Sequence, residues 1–403
     1  MKKILIIETD YEGHYLTGYI KFILRSFKDQ NAKIILLTST SAKKNAKGAI
    51  EILRSEKVKF QIQTISDIKI FNFTSLELIS KQIRTYFIIK KKFKELNSIY
   101  NFDHIFITSI EKIDKALAVF GSPFDNVTFS GIFLGVKFHL NKYRIQFRSR
   151  FNYLSRKFFQ KLIKISTLQN LITNDHLLFR FVNSEKFFGS EKLKFLHDPK
   201  EFNFTFSKFY SRNKLGFPKK SIIILVYGAL VETKGIFELL SIFKNSKLDK
   251  DVRIVLAGKQ FGKIKKFLQN DIYINQLKIQ KKVFILNNWI SEKKEAQLFA
   301  ASEIVWIGYK NYPHPSGVLY QAVQKSIPLL ISNDSIIHNL NKKIKVGYSL
   351  NINNSSNVVK AINYLMSSRK KKKYLNNILR FSEVSSSKNW VLAFKKAHPE
   401  LFS

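Results

Sequence analysis

The chain has 403 residues, 45% of them apolar and 14% aromatic, which accommodates two or three domains with sizeable cores and excludes wholesale disorder. It contains no cysteine, so disulfides and thiolate chemistry are excluded. Lys and Arg number 69 against 29 Asp and Glu, a formal charge of +40 that fits either a polyanionic partner or a lysine-rich composition spread along the whole chain.

"MKKILIIETD" opens like a secretion signal, but Glu8 and Asp10 end the apolar run before it reaches the length of a signal core. The longest uncharged apolar stretch, "SIIILVYGALV" from Ser221, falls well short of the roughly 20 residues that cross a bilayer. The expectation is a cytoplasmic chain able to sit peripherally at the inner face of the cytoplasmic membrane, where net positive charge meets anionic lipid.

Short β-branched runs recur in the first half at 3–8, 33–38, 104–109 and 127–134. In the second half they recur at 222–227, 253–258, 282–286, 303–308 and 327–332. Continuous apolar runs that alternate with helical spacing predict parallel sheets covered on both faces. Leu16, Ile20, Ile23 and Phe27 fall on one helix face. The repeated strand–helix–strand order predicts an α/β chain of two doubly wound domains. Pro199, Gly216 and Pro218 punctuate an aperiodic stretch before a fresh buried strand, so the expected division is 1–205 and 206–385. Residues 386–403 read as a further amphipathic helix, free to pack back across the domains.

Three turns could carry chemistry. In "IIETDYEGHYLTGYI" a strand, a short loop and a helix follow one another; Gly13 would let an anion approach the backbone, and His14 could donate to it. A plain β–α turn accounts for the same residues equally well. In "VYGALVETKGIFELL" the strand breaks at Gly228, and Lys234 stands at a helix start, where a cation opposes the helix dipole unless an anion shares the space. A solvated loop lysine is the plainer account. In "NYPHPSGVLYQAVQKSIPLLIS" Pro315, Ser316 and Gly317 form a turn that opens a helix. The amides of Gly317 and Val318 would face a ligand there, Ser316 could cap or donate, and Gln321 could bond a ribose-like diol. A capped crossover helix without a ligand also fits. There is no Walker loop, no G-x-S-x-G and no HExxH, and the histidines lack metal-ligand spacing. Basic stretches with interleaved aromatics at 86–96 and 142–159 suit a membrane surface or single-stranded nucleic acid, or core aromatics under a solvated face.

Taken in this order, the three turns resemble those of the retaining GT-B glycosyltransferases of the "group 1" family. "VYGALVETKG" is similar to the family's G-R-L-x-x-x-K-G loop, "SGVLYQAVQKSIPLLIS" to its donor helix and strand, and "YEGHYLTGYI" to its glycine loop. The resemblance implies two Rossmann-like domains facing a cleft, with a nucleotide-sugar donor on the C-terminal domain and a glycan or lipid-linked acceptor on the N-terminal one. It also implies retention, a place in cell-surface polysaccharide synthesis, no metal, no other cofactor and no nucleic-acid partner. Lys234 would neutralise the leaving diphosphate, Gly317 and Val318 would offer it backbone N–H groups, and Gln321 would stand where the family has a ribose-binding glutamate. Gly13, His14, Gly228 and Ser316 would complete the donor site, and His139 would hold the position of a functional histidine. The chain departs from the family at Ala229, where arginine is usual, and at Pro313 and Gln321, where glutamates are usual. A catalytically silent relative that binds a glycan or a partner is the alternative those departures raise.

Overall fold

A computed structural model of the chain describes residues 1–9, 15–67, 75–143, 145, 152–244 and 251–402. It divides into two compact units, one formed by 1–199 with 387–403 and the other by 200–386.

The first unit is built on strands β1 (Lys2–Ile7), β2 (Ala32–Ser39), β3 (Phe60–Ile65), β4 (His104–Ile107), β5 (Thr128–Ile132), β6 (Leu168–Thr173) and β7 (Leu193–Phe195). They pair in the order β3-β2-β1-β4-β5-β6-β7, and every pairing is parallel. Sequence alternation explains the layers: Leu5 and Ile7 of β1 face one apolar cluster and Ile4 and Ile6 face another, all at 1% exposure or less. The second cluster takes in Ile20, Ile23 and Phe27 from the helix face expected there, together with Trp390, Phe394 and Leu401 near the C-terminus.

The C-terminal helix Ser387–Ala397 is held by packing and by a buried polar node. Trp390 stacks on Phe394 at 5.1 Å. The Ser130 hydroxyl lies 3.1 Å from His104 Nε2 and 3.0 Å from His398 Nε2, and Asn170 donates to the Ala397 carbonyl at 2.7 Å.

In the second unit β8 (Ile222–Tyr227), β9 (Val252–Ala257), β10 (Val283–Leu286), β11 (Ile304–Ile307), β12 (Leu329–Ser332) and β13 (Gly347–Leu350) form a parallel sheet ordered β10-β9-β8-β11-β12-β13. Residues 200–205 pack with this unit: Asn203 donates to Glu292 at 2.8 Å, and the Phe204 carbonyl accepts from Lys325 at 3.1 Å. A buried ion pair ties the start of the unit to its sheet. Arg212 meets Glu303 at 2.5 Å and also donates to the carbonyls of Ala301 and Ser221, while Glu303 accepts from the Ile223 amide at 2.8 Å.

Both sheets are doubly wound. The strand order reverses between β1 and β4 in the first and between β8 and β11 in the second. In open α/β sheets the loops that leave such a reversal diverge and open a crevice beyond the carboxyl ends of the strands. Each unit therefore offers one such position.

Candidate active site

In the second unit the loops that leave β8 and β11 meet at the reversal. β8 ends at Gly228, whose φ of 89° turns the chain out of the sheet. After a single 3-10 turn, Glu232–Lys234, the chain passes through Gly235 at φ 62° into helix Ile236–Leu240. A Cβ at Gly235 would overlap the Gly308 carbonyl, so only glycine allows this approach. The turn is pinned to β11 and the residues after it. Trp306 Nε1 donates to the Lys234 carbonyl at 2.8 Å, and the Lys310 amide donates to the Thr233 carbonyl at 2.8 Å.

This pinning turns the Lys234 side chain back over the sheet. Its ammonium donates to the Tyr227 carbonyl, lies 5.6 Å from the centre of the Tyr309 ring, and would sit 3.0 Å from a Cβ at Gly228. Among the described residues no carboxylate pairs with it. Burial without a counter-charge lowers its pKa to about 7. Lys310 and Glu238, close by, neutralise one another at 2.5 Å.

The β11 loop supplies the facing wall. Tyr309 is 3% exposed, its pKa is raised by burial, and its hydroxyl lies 3.3 Å from Ser316 Oγ. Ser316 caps helix Gly317–Gln324 by position, yet its hydroxyl makes no capping bond. The first amides, those of Gly317 and Val318, have no acceptor within the helix. One turn in, buried Gln321 donates through Nε2 to Glu295. The carbonyl of the same amide meets no donor among the described residues. Glu295 comes from helix Glu292–Ala301 and lies beside the Tyr227 hydroxyl. Burial raises the pKa of Glu295, and burial first, then the neighbouring carboxylate, raises that of Tyr227. A closed ring of contacts results: Lys234 to the Tyr227 backbone, Tyr227 to Glu295, Glu295 to Gln321, then through the helix to Ser316, Tyr309 and Lys234 again.

The structure thus brings together Gly228, Lys234, Ser316, Gly317, Val318 and Gln321. Sequence reasoning missed Tyr227, Tyr309 and Glu295. For Glu295 a signal existed, because it shares a helix face with Phe299 and Leu298, both fully buried, and a carboxylate on an apolar stripe needs a partner. Ala229, at the family's arginine position, is exposed.

At the reversal in the first unit, Glu8 is fully buried and accepts from Thr108 Oγ1 at 2.7 Å, Ser109 Oγ at 2.9 Å and Lys112 Nζ at 2.8 Å. Beside it opens a cavity of about 710 Å³, lined in part by Thr9, Ser41, Asp67, Leu78, Lys112 and Phe158. Gly13 and His14 lie outside the described residues. His139 is fully buried, with Nε2 2.9 Å from Asp175 Oδ2, and Asp175 in turn caps helix His176–Ser184. Phe138 and Phe181 pack against the His139 ring.

Comparison with known proteins follows the same lines. Residues 207–380 match the family model described as glycosyl transferases group 1. No curated protein matches the chain by sequence. Among solved structures, the chain is similar to Anabaena HepE in complex with UDP, with a TM-score of 0.71, 14% identity and coverage of 100% of both chains. It is also similar to a glycosyltransferase from Rickettsia africae, at TM-score 0.68 and 14% identity over 100% of this chain and 99% of that one. Sucrose-phosphate synthase from Thermosynechococcus elongatus gives a TM-score of 0.71 at 11% identity over 100% and 99% of the two chains. Two Rossmann-like sheets on this pattern make the GT-B fold, and the second unit resembles the group 1 glycosyl transferases over residues 207–380.

Proposed function

We propose that this protein transfers a sugar, with retention, from a nucleotide-sugar donor to a glycan or lipid-linked acceptor in cell-surface polysaccharide synthesis. One observation carries the donor assignment: the Lys234 ammonium is held at the β8/β11 reversal with no carboxylate beside it among the described residues. A partly buried cation without a counter-charge is costly, and a diphosphate supplies the missing charge. The amides of Gly317 and Val318 add N–H groups at a helix start, where anions are favoured. Fixed positive groups aimed at a departing diphosphate stabilise charge where it develops, and this reading needs no metal and no further cofactor. The complexes of HepE with UDP and with UDP-glucose support a nucleotide-sugar donor.

On the acceptor side, the cavity beside Glu8 has the volume of a small-molecule site and both hydroxyl and apolar lining. Gly13 and His14 keep the donor-binding role that the family resemblance implies for them. No helix among the described residues is long and apolar enough to cross a membrane, so contact with an anionic membrane would be peripheral. No nucleic-acid partner enters the reading. Ala229 favours a second reading, a relative that binds without transferring. Thermal unfolding with UDP, GDP and ADP tests the first. A rise in Tm with one of the three is expected, and no response to any of them refutes the donor assignment.

A further inference from the structure

The Glu295–Gln321 pair serves no packing need that an apolar pair would not meet better, since burying a carboxylate is unfavourable without several donors. Glu295 nevertheless lies against Tyr227 and takes the Gln321 amide nitrogen. A carboxylate accepts and does not donate, so it fixes which end of the Gln321 amide turns toward it. The opposite end, the carbonyl, is left presenting an acceptor and has no donor among the described residues. Gln321 stands one turn beyond the amides of Gly317 and Val318.

We propose that Glu295 is a positioning residue: by holding the Gln321 amide nitrogen it directs the Gln321 carbonyl to accept from a sugar hydroxyl of the bound nucleotide, so that the two residues together read the ribose diol. This rests on the nucleotide site proposed above. It gives the glutamine the hydrogen-bond sense of a carboxylate, with the charge kept one residue behind it.

The test compares Kd for UDP, GDP and ADP with Kd for their 2′,3′-dideoxy forms. The wild type is expected to favour the ribonucleotide by about three- to tenfold, the worth of one hydrogen bond. Glu295→Ala should bring that ratio toward one while leaving dideoxynucleotide affinity nearly unchanged. Glu295→Gln, which keeps volume and an acceptor, should retain most of the preference and guards against loss through misfolding. Gln321→Glu alone sets two carboxylates together and should weaken ribonucleotide binding. Combining it with Glu295→Gln exchanges the partners and should restore it. Equal losses for ribo and dideoxy ligands in Glu295→Ala, or no recovery in the exchanged pair, overturns the proposal. Failure of the wild type to bind any of the nucleotides removes the donor site itself, whereas binding without ribose preference removes only this inference.

Discussion

Replacing Lys234 with methionine keeps the aliphatic stem and deletes the ammonium that has no carboxylate partner among the described residues. The folded state holds this lysine at a pKa of about 7 against 10.5 for the free side chain. The folded form therefore binds fewer protons than the unfolded form between those values, and wild-type stability rises with pH across that window. The penalty for charging Lys234 is complete below pH 7 and gone above about 10.5. At 1.36 kcal/mol per unit, the 3.5-unit difference sets a ceiling of about 5 kcal/mol, less whatever the bond to the Tyr227 carbonyl returns. Lys234→Met should thus be more stable than the wild type at pH 7 by one to a few kcal/mol, with the gap closing to under about 1 kcal/mol at pH 10. The same variant should bind the preferred nucleoside diphosphate about ten- to a hundredfold more weakly, because it loses a charge-assisted bond. Urea denaturation at several pH values, with calorimetric titration alongside, measures both. A variant less stable than the wild type at pH 7, a stability difference independent of pH, or undiminished nucleotide binding would refute the reasoning.

Ala229→Arg should tighten nucleoside-diphosphate binding by about tenfold, since position 229 is exposed beside Gly228 and a guanidinium there can bond phosphate in bidentate fashion; titration with the same nucleotide measures it. Gly235→Ala should cost at least about 2 kcal/mol, visible as a lowered Tm, because φ 62° disfavours a side chain and the new Cβ would strike the Gly308 carbonyl. His398 and His104 are both held below the usual histidine pKa by burial, His398 at about 4, so stability should fall as pH drops from 6.5 toward 4. The C-terminal helix should then become sensitive to protease at pH 5 and not at pH 7, and His398→Phe should blunt the change.

Much of the scaffold was legible because buried parallel strands need apolar residues on both faces. "IIILVY" at β8 and "IPLLIS" at β12 announce themselves in this way. The strands that escaped notice are β3, β6, β7 and β13. Three of these are sheet edges, where "FQIQTI", "LKF" and "GYSL" need cover less apolar surface, and β6, "LQNLIT", lies next to an edge. The turns of the candidate site were readable from glycine and helix-start chemistry. The contacts that hold them were not. Tyr227, Glu295 and Tyr309 belong to separate elements, and nothing local shows that they surround Lys234 and Gln321. The surroundings of His139 were equally hidden, because its place against Asp175 and among Phe138 and Phe181 depends on distant packing.

The central claim is sugar transfer from a nucleotide donor bound at Lys234. Its most direct test is turnover of a panel of UDP-, GDP- and ADP-sugars, following release of the nucleoside diphosphate with wild-type protein and with Lys234→Met, in the presence of glycan and lipid-linked acceptors. Release of one nucleotide by the wild type, with product of retained anomeric configuration and a loss of about tenfold or more in Lys234→Met, is the predicted result. Binding without release for every donor, or turnover indifferent to Lys234, would contradict it.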